Sequence, residues 1–487
     1  MSNRMMDAKR TKYQMAAVVV SLIVLMYILS CGSSGNSAPE AGQKIHVSTQ
    51  VELFLDDVVV ANMENLTREL KQPSKHPSNP LIVQDQPWED RLVEVYGTII
   101  FDQEDNIFKA WYRASSDTIP SPEYFICYVE STDGIAWTKP FVGSQDFGPY
   151  PAFTHNMVIN GGHGISILKM PQESDPNRVY KAGGGSITAL SPDGINWAIS
   201  PWPEVGTNDT GTSIVRWNEQ YYAYVRDQGI WYNGVMRQIG VTTSPDFIHW
   251  ATKNTLFVTD DSDGYPWTQP YSLSVTAYGD ILIGVLSLLH LDVINGNNKI
   301  GDMDTQLIVS RDGTNWNRVC NRAVFLEPTA GSWDQGRVIP STTMVVVGDQ
   351  IRIYYTGSET RHGYGYIAPV SIGLATLPKD RFVSMRPTVP GLDGILETVP
   401  LRFNGTRLIV NAEIGINDLE VELLDQTGSL ISGFEASNSV VVPIDALRYE
   451  VGWMAGGQAV PLSEAQQPVM LRFILRDGEL FAFTFSD

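Results

Sequence analysis

Cysteine is scarce in this chain: 3 among 487 residues, at positions 31, 127 and 320. No His/Cys spacing of the metal-ligand type accompanies them, so no metal centre is expected from that source. Positive charge is also short. Lys plus Arg number 34 against 54 Asp plus Glu, a formal net charge of -20, which argues against binding nucleic acid through its phosphates. The same acidity predicts a neutral or weakly charged substrate rather than a polyanion, unless a local basic patch overrides it. Runs of helical period are few, which leaves short alternating segments to build the fold. Hydrophobic residues at 43% and charged residues at 18% describe a chain with a real core, and the length predicts two or three domains.

The long apolar run lies at the start. Arg4, Lys9, Arg10 and Lys12 precede "MAAVVVSLIVLMYIL", followed by "SCGSSGNSAPE", the layout of a bacterial export signal. The "ILSC" end resembles a lipobox, in which a small residue precedes a cysteine that is lipidated and becomes the mature N-terminus. The expectation is a lipoprotein signal peptide over 1–31 with Cys31 as the lipidation site, and a Gly/Ser-rich tether over 32–44. The protein would then sit at the bacterial cell envelope, held to the membrane only through its lipid. The alternative is a plain membrane helix close to the shortest spanning length. Cys127 and Cys320 fall in apparent strands and could be buried thiols, and a disulfide between them is not decided by sequence.

A pattern of small-x-Asp-Gly-x-x-Trp recurs as "STDGIAW", "SPDGINW", "SPDFIHW" and "SRDGTNW", with Asp133, Asp193, Asp246 and Asp312 separated by 60, 53 and 66 residues. A degenerate fifth copy, "LPKDRFVS", carries Asp380. This period suits one four-stranded propeller blade with variable loops. Asp accepts backbone hydrogen bonds across the turn, Gly supplies positive φ, and Trp packs between neighbouring sheets. These motifs are therefore read as structural. Where Phe247 replaces Gly, a different turn type is expected.

The fold class predicted is all-β: a five-bladed β-propeller over 45–387 followed by a C-terminal β-sandwich over 388–487. The blades span roughly 91–145, 150–203, 207–258, 265–325 and 334–386. The arm over 45–80 either packs outside or closes the ring. After Pro387 the alternating strands with "QTG" and "RDG" turns read as the sandwich.

The stretches "KQPSKHPSNPLI", "PWEDRLVEVYGTIIFD", "FKAWYRA", "RQIGVTTSPDFIHW", "DTQLIVSRDGTNWNR", "SWDQGRV" and "IGLATLPKDRFVSM" carry a resemblance. The chain resembles secreted five-bladed glycoside hydrolases, with a family 32/43-like propeller and the C-terminal sandwich of family 32. It lacks the "WMNDPNG" stretch of invertases. The turn repeat also resembles the sialidase Asp box, but sialidases have six blades. The resemblance implies a carbohydrate substrate and a pair of carboxylates in the central funnel, with no cofactor. Carboxylate-rich loops such as "TDDSDG" (259–264) could hold a structural Ca²⁺, but that run lacks the length and the closing Glu of a calcium loop.

Polar residues at the starts of inner strands converge on a propeller's funnel. Glycosidic cleavage needs one carboxyl to protonate the leaving oxygen and another to attack or activate water. The candidates are Glu94, Asp209 and Asp334, each placed before an inner strand. For substrate contact the candidates are Arg113, His155, Asn156, Arg237, Trp267, Gln269, Tyr271 and His362, with Arg226 also near the end of a second strand. Two other readings stay open: a non-catalytic glycan-binding lipoprotein, and a propeller that binds proteins on its flat face.

Overall fold

The computed structural model describes residues 45–119, 122–203, 205, 211–231, 234–257, 259–294 and 298–487. Cys31, the tether and Asp209 lie outside the described residues.

The turn repeat marks real units. Leu92–Asp102, Ile107–Ser115, Phe125–Ser131 and Met157–Asn160 form a first antiparallel sheet. Ser166–Lys169, Tyr180–Gly184, Ile187–Ser191 and Ala198–Pro201 form a second, and Ser213–Trp217, Gln220–Trp231, Gly234–Ser244 and Asn254–Phe257 a third. The fourth runs through Thr268–Tyr278, Ile281–Leu291, Gly301–Ser310 and Asn317–Arg318. The fifth contains Arg337–Pro340, Gln350–Ser358 and Val370–Pro378, and its outer strand is Ser74–Lys75 from the N-terminal arm. The arm therefore closes the ring.

A circle of hydroxyls joins the five sheets near the axis. Thr98 Oγ1 accepts from Ile167 N–H (2.8 Å), Ser166 Oγ from Ile214 (2.9 Å), Ser213 Oγ from Val275 (2.9 Å) and Thr276 Oγ1 from Met344 (2.8 Å). Thr356 Oγ1 accepts from Val95 N–H (2.8 Å) and completes the circuit from the fifth sheet to the first. Inner strands have no backbone partner on the axis side, so each hydroxyl satisfies a buried N–H that would otherwise cost roughly 1–3 kcal/mol. A small cavity of about 10 Å³ is lined by Tyr96, Ser213, Ser274 and Thr342 among others.

Large side chains fill the wedges between sheets. Trp111, Ile126 and Tyr180 lie between the first and second, and Trp202, Tyr221 and Trp250 between the second and third. Val215, Leu273 and Ile308 lie between the third and fourth, and Phe108, Tyr112, Tyr354 and Ile372 between the fifth and first. Full burial of each such side chain contributes on the order of 1.5–3 kcal/mol.

The repeated turn clasps adjacent sheets. In the first, Asp133 Oδ1 accepts from Ile135 and Ala136 N–H (both 2.8 Å) and Ser131 Oγ from Gly134 N–H (2.8 Å). The Gly134 carbonyl accepts from Tyr354 OH of the fifth sheet (2.9 Å), and Trp137 packs edge-on against the same ring. The Gly-less copy departs from expectation. Phe247 takes φ 67°, like the glycines at this place, and the Ser244 and Asp246 hydrogen bonds are the same. Its ring is buried against Tyr221 and Trp250, which offsets the cost of the left-handed backbone. Asp380 belongs to no such turn. It lies where the chain leaves the fifth sheet, and it accepts from Tyr278 OH.

Two further sheets pack face to face around Leu401, Leu408, Val410, Val421, Leu471, Phe473 and Phe483. Their strands alternate buried and exposed residues, as in Leu401–Phe403. The module is larger than the expected 388–487. His46–Ser48, Glu52–Leu53, Val60–Glu64, Leu66–Leu70 and Val383–Pro387 all pair within it. Cys127 is buried in the first sheet and Cys320 is half-buried in a short 3₁₀ turn rather than a strand, and both are free thiols.

Candidate functional site at the mouth of the ring

Glu94 stands near the head of the first inner strand, directly opposite Arg113 on the next strand. Between Glu94 and Thr98 the inner strand has three residues where its partner has one, a bulge that swings Glu94 and Tyr96 toward the axis. Gly97 makes the bulge possible, since a Cβ there would lie 1.9 Å from the Trp111 carbonyl oxygen.

The Glu94 carboxylate is buried and ion-paired with Arg113. Arg337, which starts the fifth inner strand, brings its Nη2 to 3.6 Å from the other Glu94 oxygen. The Arg113 guanidinium lies between the rings of Tyr96 (4.4 Å) and Tyr124 (4.3 Å) and donates to His163 Nε2. Arg337 lies 5.8 Å from the Tyr366 ring.

A hydrogen-bonded chain borders this cluster. Tyr96 OH and Tyr271 OH are 2.6 Å apart, and Tyr271 OH is 3.0 Å from His362 Nε2. His362 Nδ1 lies 2.5 Å from the Lys299 carbonyl, which can only accept, so this nitrogen carries the proton. Burial, reinforced by the charges of Arg237, Arg337 and Arg226, pulls His362 down to about 3, against the Lys299 bond that raises it. The neutral ring leaves Nε2 as an acceptor, so Tyr271 donates to His362 and Tyr96 donates to Tyr271. Burial and the charges of Arg113 and Arg226 likewise pull His163 down to about 2.

Of the sequence candidates, Glu94, Arg113, Tyr271 and His362 come together here. Arg237 joins from the third sheet: its guanidinium is 5.7 Å from the Tyr271 ring and bonds to Gln269 Oε1 (3.2 Å) and the Asn298 carbonyl. Gln269 is fully buried, with its amide nitrogen on Met236 Sδ (3.1 Å), so it positions Arg237 rather than facing solvent. Trp267, at the head of the fourth inner strand, is 51% exposed.

Three candidates lie elsewhere. His155 and Asn156 precede Met157–Asn160, the outer strand of the first sheet, not the inner strand of the second. Both are fully buried and fully engaged. His155 bonds through its ring nitrogens to the Gln145 carbonyl (2.9 Å) and Met157 N–H (3.1 Å). Asn156 accepts from Trp88 Nε1 (2.9 Å) and donates to Tyr112 OH (2.9 Å) and the Tyr128 carbonyl (2.7 Å). Asp334 is 0% exposed, and its carboxylate accepts from Lys75 Nζ (2.5 Å) and Tyr355 OH (3.0 Å). It ties the closing strand to the fifth sheet, which corrects its assignment to the funnel.

Tyr96, Tyr124, His163 and Tyr366 are additions that the sequence patterns do not single out. Tyr96 is within their reach, since "EVY" sets it two residues from Glu94 on an inner strand. His163 stands just before the second inner strand, the place expected for His155. Among the described residues, no cluster of His, Cys, Asp or Glu has the makings of a metal site. "TDDSDG" forms a capped turn whose Asp260 and Asp263 are held by Arg322 and Arg318.

No protein-family model and no curated sequence matches the chain. Among solved structures, it is similar to one from the GH130 family of mannoside phosphorylases, which contains glycoside hydrolases that target β-1,2-mannosidic linkages in Candida mannan. There the identity is 13% and the TM-score 0.44, over 64% of this chain and 95% of the other. A glycosyl hydrolase from Bacteroides ovatus matches at 15% identity and TM-score 0.43, over 64% of this chain and 95% of its own. The catalytic domain of a GH62 α-L-arabinofuranosidase from Coprinopsis cinerea matches at 12% identity and TM-score 0.43, over 63% and 97%.

Proposed function

We propose that the mouth of the ring is the glycan site of a glycoside hydrolase similar to families 32 and 43, held at the bacterial cell envelope through Cys31. Glu94 is one of its carboxylates and Asp209 supplies the other. The observation that carries this reading is Glu94 itself. A carboxylate near the head of an inner strand, between two guanidiniums and bordered by tyrosine rings, serves no packing purpose. Sugar rings stack on aromatic faces, and their hydroxyls bond to charged groups.

The test is product release from a panel of oligosaccharides by the parent chain, Glu94→Gln and Asp209→Asn. Cleavage by the parent and a loss of roughly 100-fold or more in each variant supports the reading. Full activity in both variants refutes it.

A second reading is a site that binds glycans without cleaving them. It is favoured by one observation: among the described residues, no second carboxylate contacts Arg113 or Arg337. It predicts saturable binding with no product.

A further inference from the structure

Among the described residues, the charges of this cluster do not balance. Arg113 and Arg337 converge on one carboxylate, Glu94. Arg113 takes the close ion pair, and Glu94 is 3.6 Å from Arg337, beyond hydrogen-bond reach. Arg337 is 4% exposed, and its Nε and Nη2 donate no hydrogen bond. His163 beside Arg113 and His362 near Arg337 are held neutral and supply no counter-charge. A buried guanidinium without a hydrogen-bonded counter-charge is strongly unfavourable. A chain of net charge -20 has carboxylates to spare, yet among the described residues it sets none but Glu94 near Arg337.

The fork of a guanidinium matches two oxygens of one anion. We propose that Arg337, with Arg113 beside it, receives an anionic substituent of the glycan, a carboxylate or a sulfate ester. The substrates of this site are then acidic glycans. Glu94 separates the two guanidiniums and limits the site to one such group. Tyr124 and Tyr366, both half-buried, flank the guanidiniums with ring faces for the sugar that carries the charge. This goes against the neutral substrate expected from overall acidity, because local charge governs recognition where water is excluded. The inference rests on the mouth being a glycan site.

The experiment is calorimetric titration of the full-length chain with two sets of oligosaccharides, one of uronates and one of sulfate esters. Each is compared with its carboxyl-reduced or desulfated counterpart, and inorganic sulfate is titrated alone. The expected result is binding of one acidic set at least about tenfold tighter than its uncharged counterpart. Which set binds tells carboxylate from sulfate. Arg337→Gln should abolish that preference, so that the variant binds the charged and uncharged forms within about twofold of each other. The paired ligands need no variant, so a misfolded Arg337→Gln does not spoil the test. Equal affinity for charged and uncharged forms overturns the inference and leaves the glycan site standing. Inorganic sulfate binding as tightly as the glycan also overturns it. No binding of any oligosaccharide overturns both.

Discussion

Glu94 and Arg113 face each other across the first two strands of the first sheet and form a buried ion pair at the mouth of the ring. Removing one partner of such a pair leaves the other charge uncompensated, at a cost of roughly 3–5 kcal/mol. Glu94→Gln should therefore lower the urea midpoint markedly. Glu94→Gln combined with Arg113→Met should recover part of the loss, because Arg113 is then no longer stranded, while Arg337 still loses its nearby carboxylate. A double-mutant cycle with additive effects would show that the pair is not coupled.

Asp334 pairs with Lys75 of the strand that closes the fifth sheet, and their role is structural. Asp334→Asn should destabilise the chain by a similar ~3–5 kcal/mol, through release of the closing strand Ser74–Lys75. Glycan affinity, measured well below the melting transition, should stay within about twofold. A loss of turnover without a loss of stability would return Asp334 to the catalytic set.

These two pairs show what sequence could and could not reveal. The turn repeat locates inner strands wherever one follows the turn at the usual distance. That suffices for Tyr271 on the fourth sheet, and the carboxylate of "VEVYG" stands out in an otherwise apolar strand. It fails after Trp137, where residues 138–156 intervene before the outer strand of the first sheet. The count of strands then slips by one, and His155 takes the place that belongs to His163. The closing strand is only two residues long and pairs some three hundred residues away, so no local pattern announces it. Asp334 consequently reads as a funnel carboxylate when its partner is Lys75.

The turns offer a cleaner separation of structure from function. At Gly134, φ is +74° and an added Cβ would lie 2.4 Å from Arg352 Nη1 and 2.5 Å from Tyr354 OH. Gly134→Ala should cost about 1–3 kcal/mol and leave glycan affinity unchanged. Phe247→Gly relaxes the backbone but removes a buried ring, so it should destabilise as well, by about 3 kcal/mol. Thermal melts of both variants check this; a stabilised Phe247→Gly would mean the ring contributes less than the backbone costs.

Stability should fall on acidification through His362. Its folded value, about 3, lies below the ordinary 6.5. The unfolded chain therefore takes up a proton below pH 6.5 that the folded chain refuses. The contribution is full above pH 6.5 and is lost as pH falls from there toward 3. His46 and His290 act in the opposite sense, raised by hydrogen bonds to Glu52 and Asp304, but equally in parent and variant. Melting temperatures between pH 7.5 and 4.5 should drop more steeply for the parent than for His362→Gln. Parallel curves would mean that His362 is protonated in the folded chain.

The most direct measurement is a crystal structure of the chain with an oligosaccharide from the binding panel. The sugar should lie at the mouth of the ring, over Glu94 and against Tyr124 and Tyr366, with its anionic substituent on Arg337. A sugar bound only on the two-sheet module or on the outer faces of the ring would contradict the account.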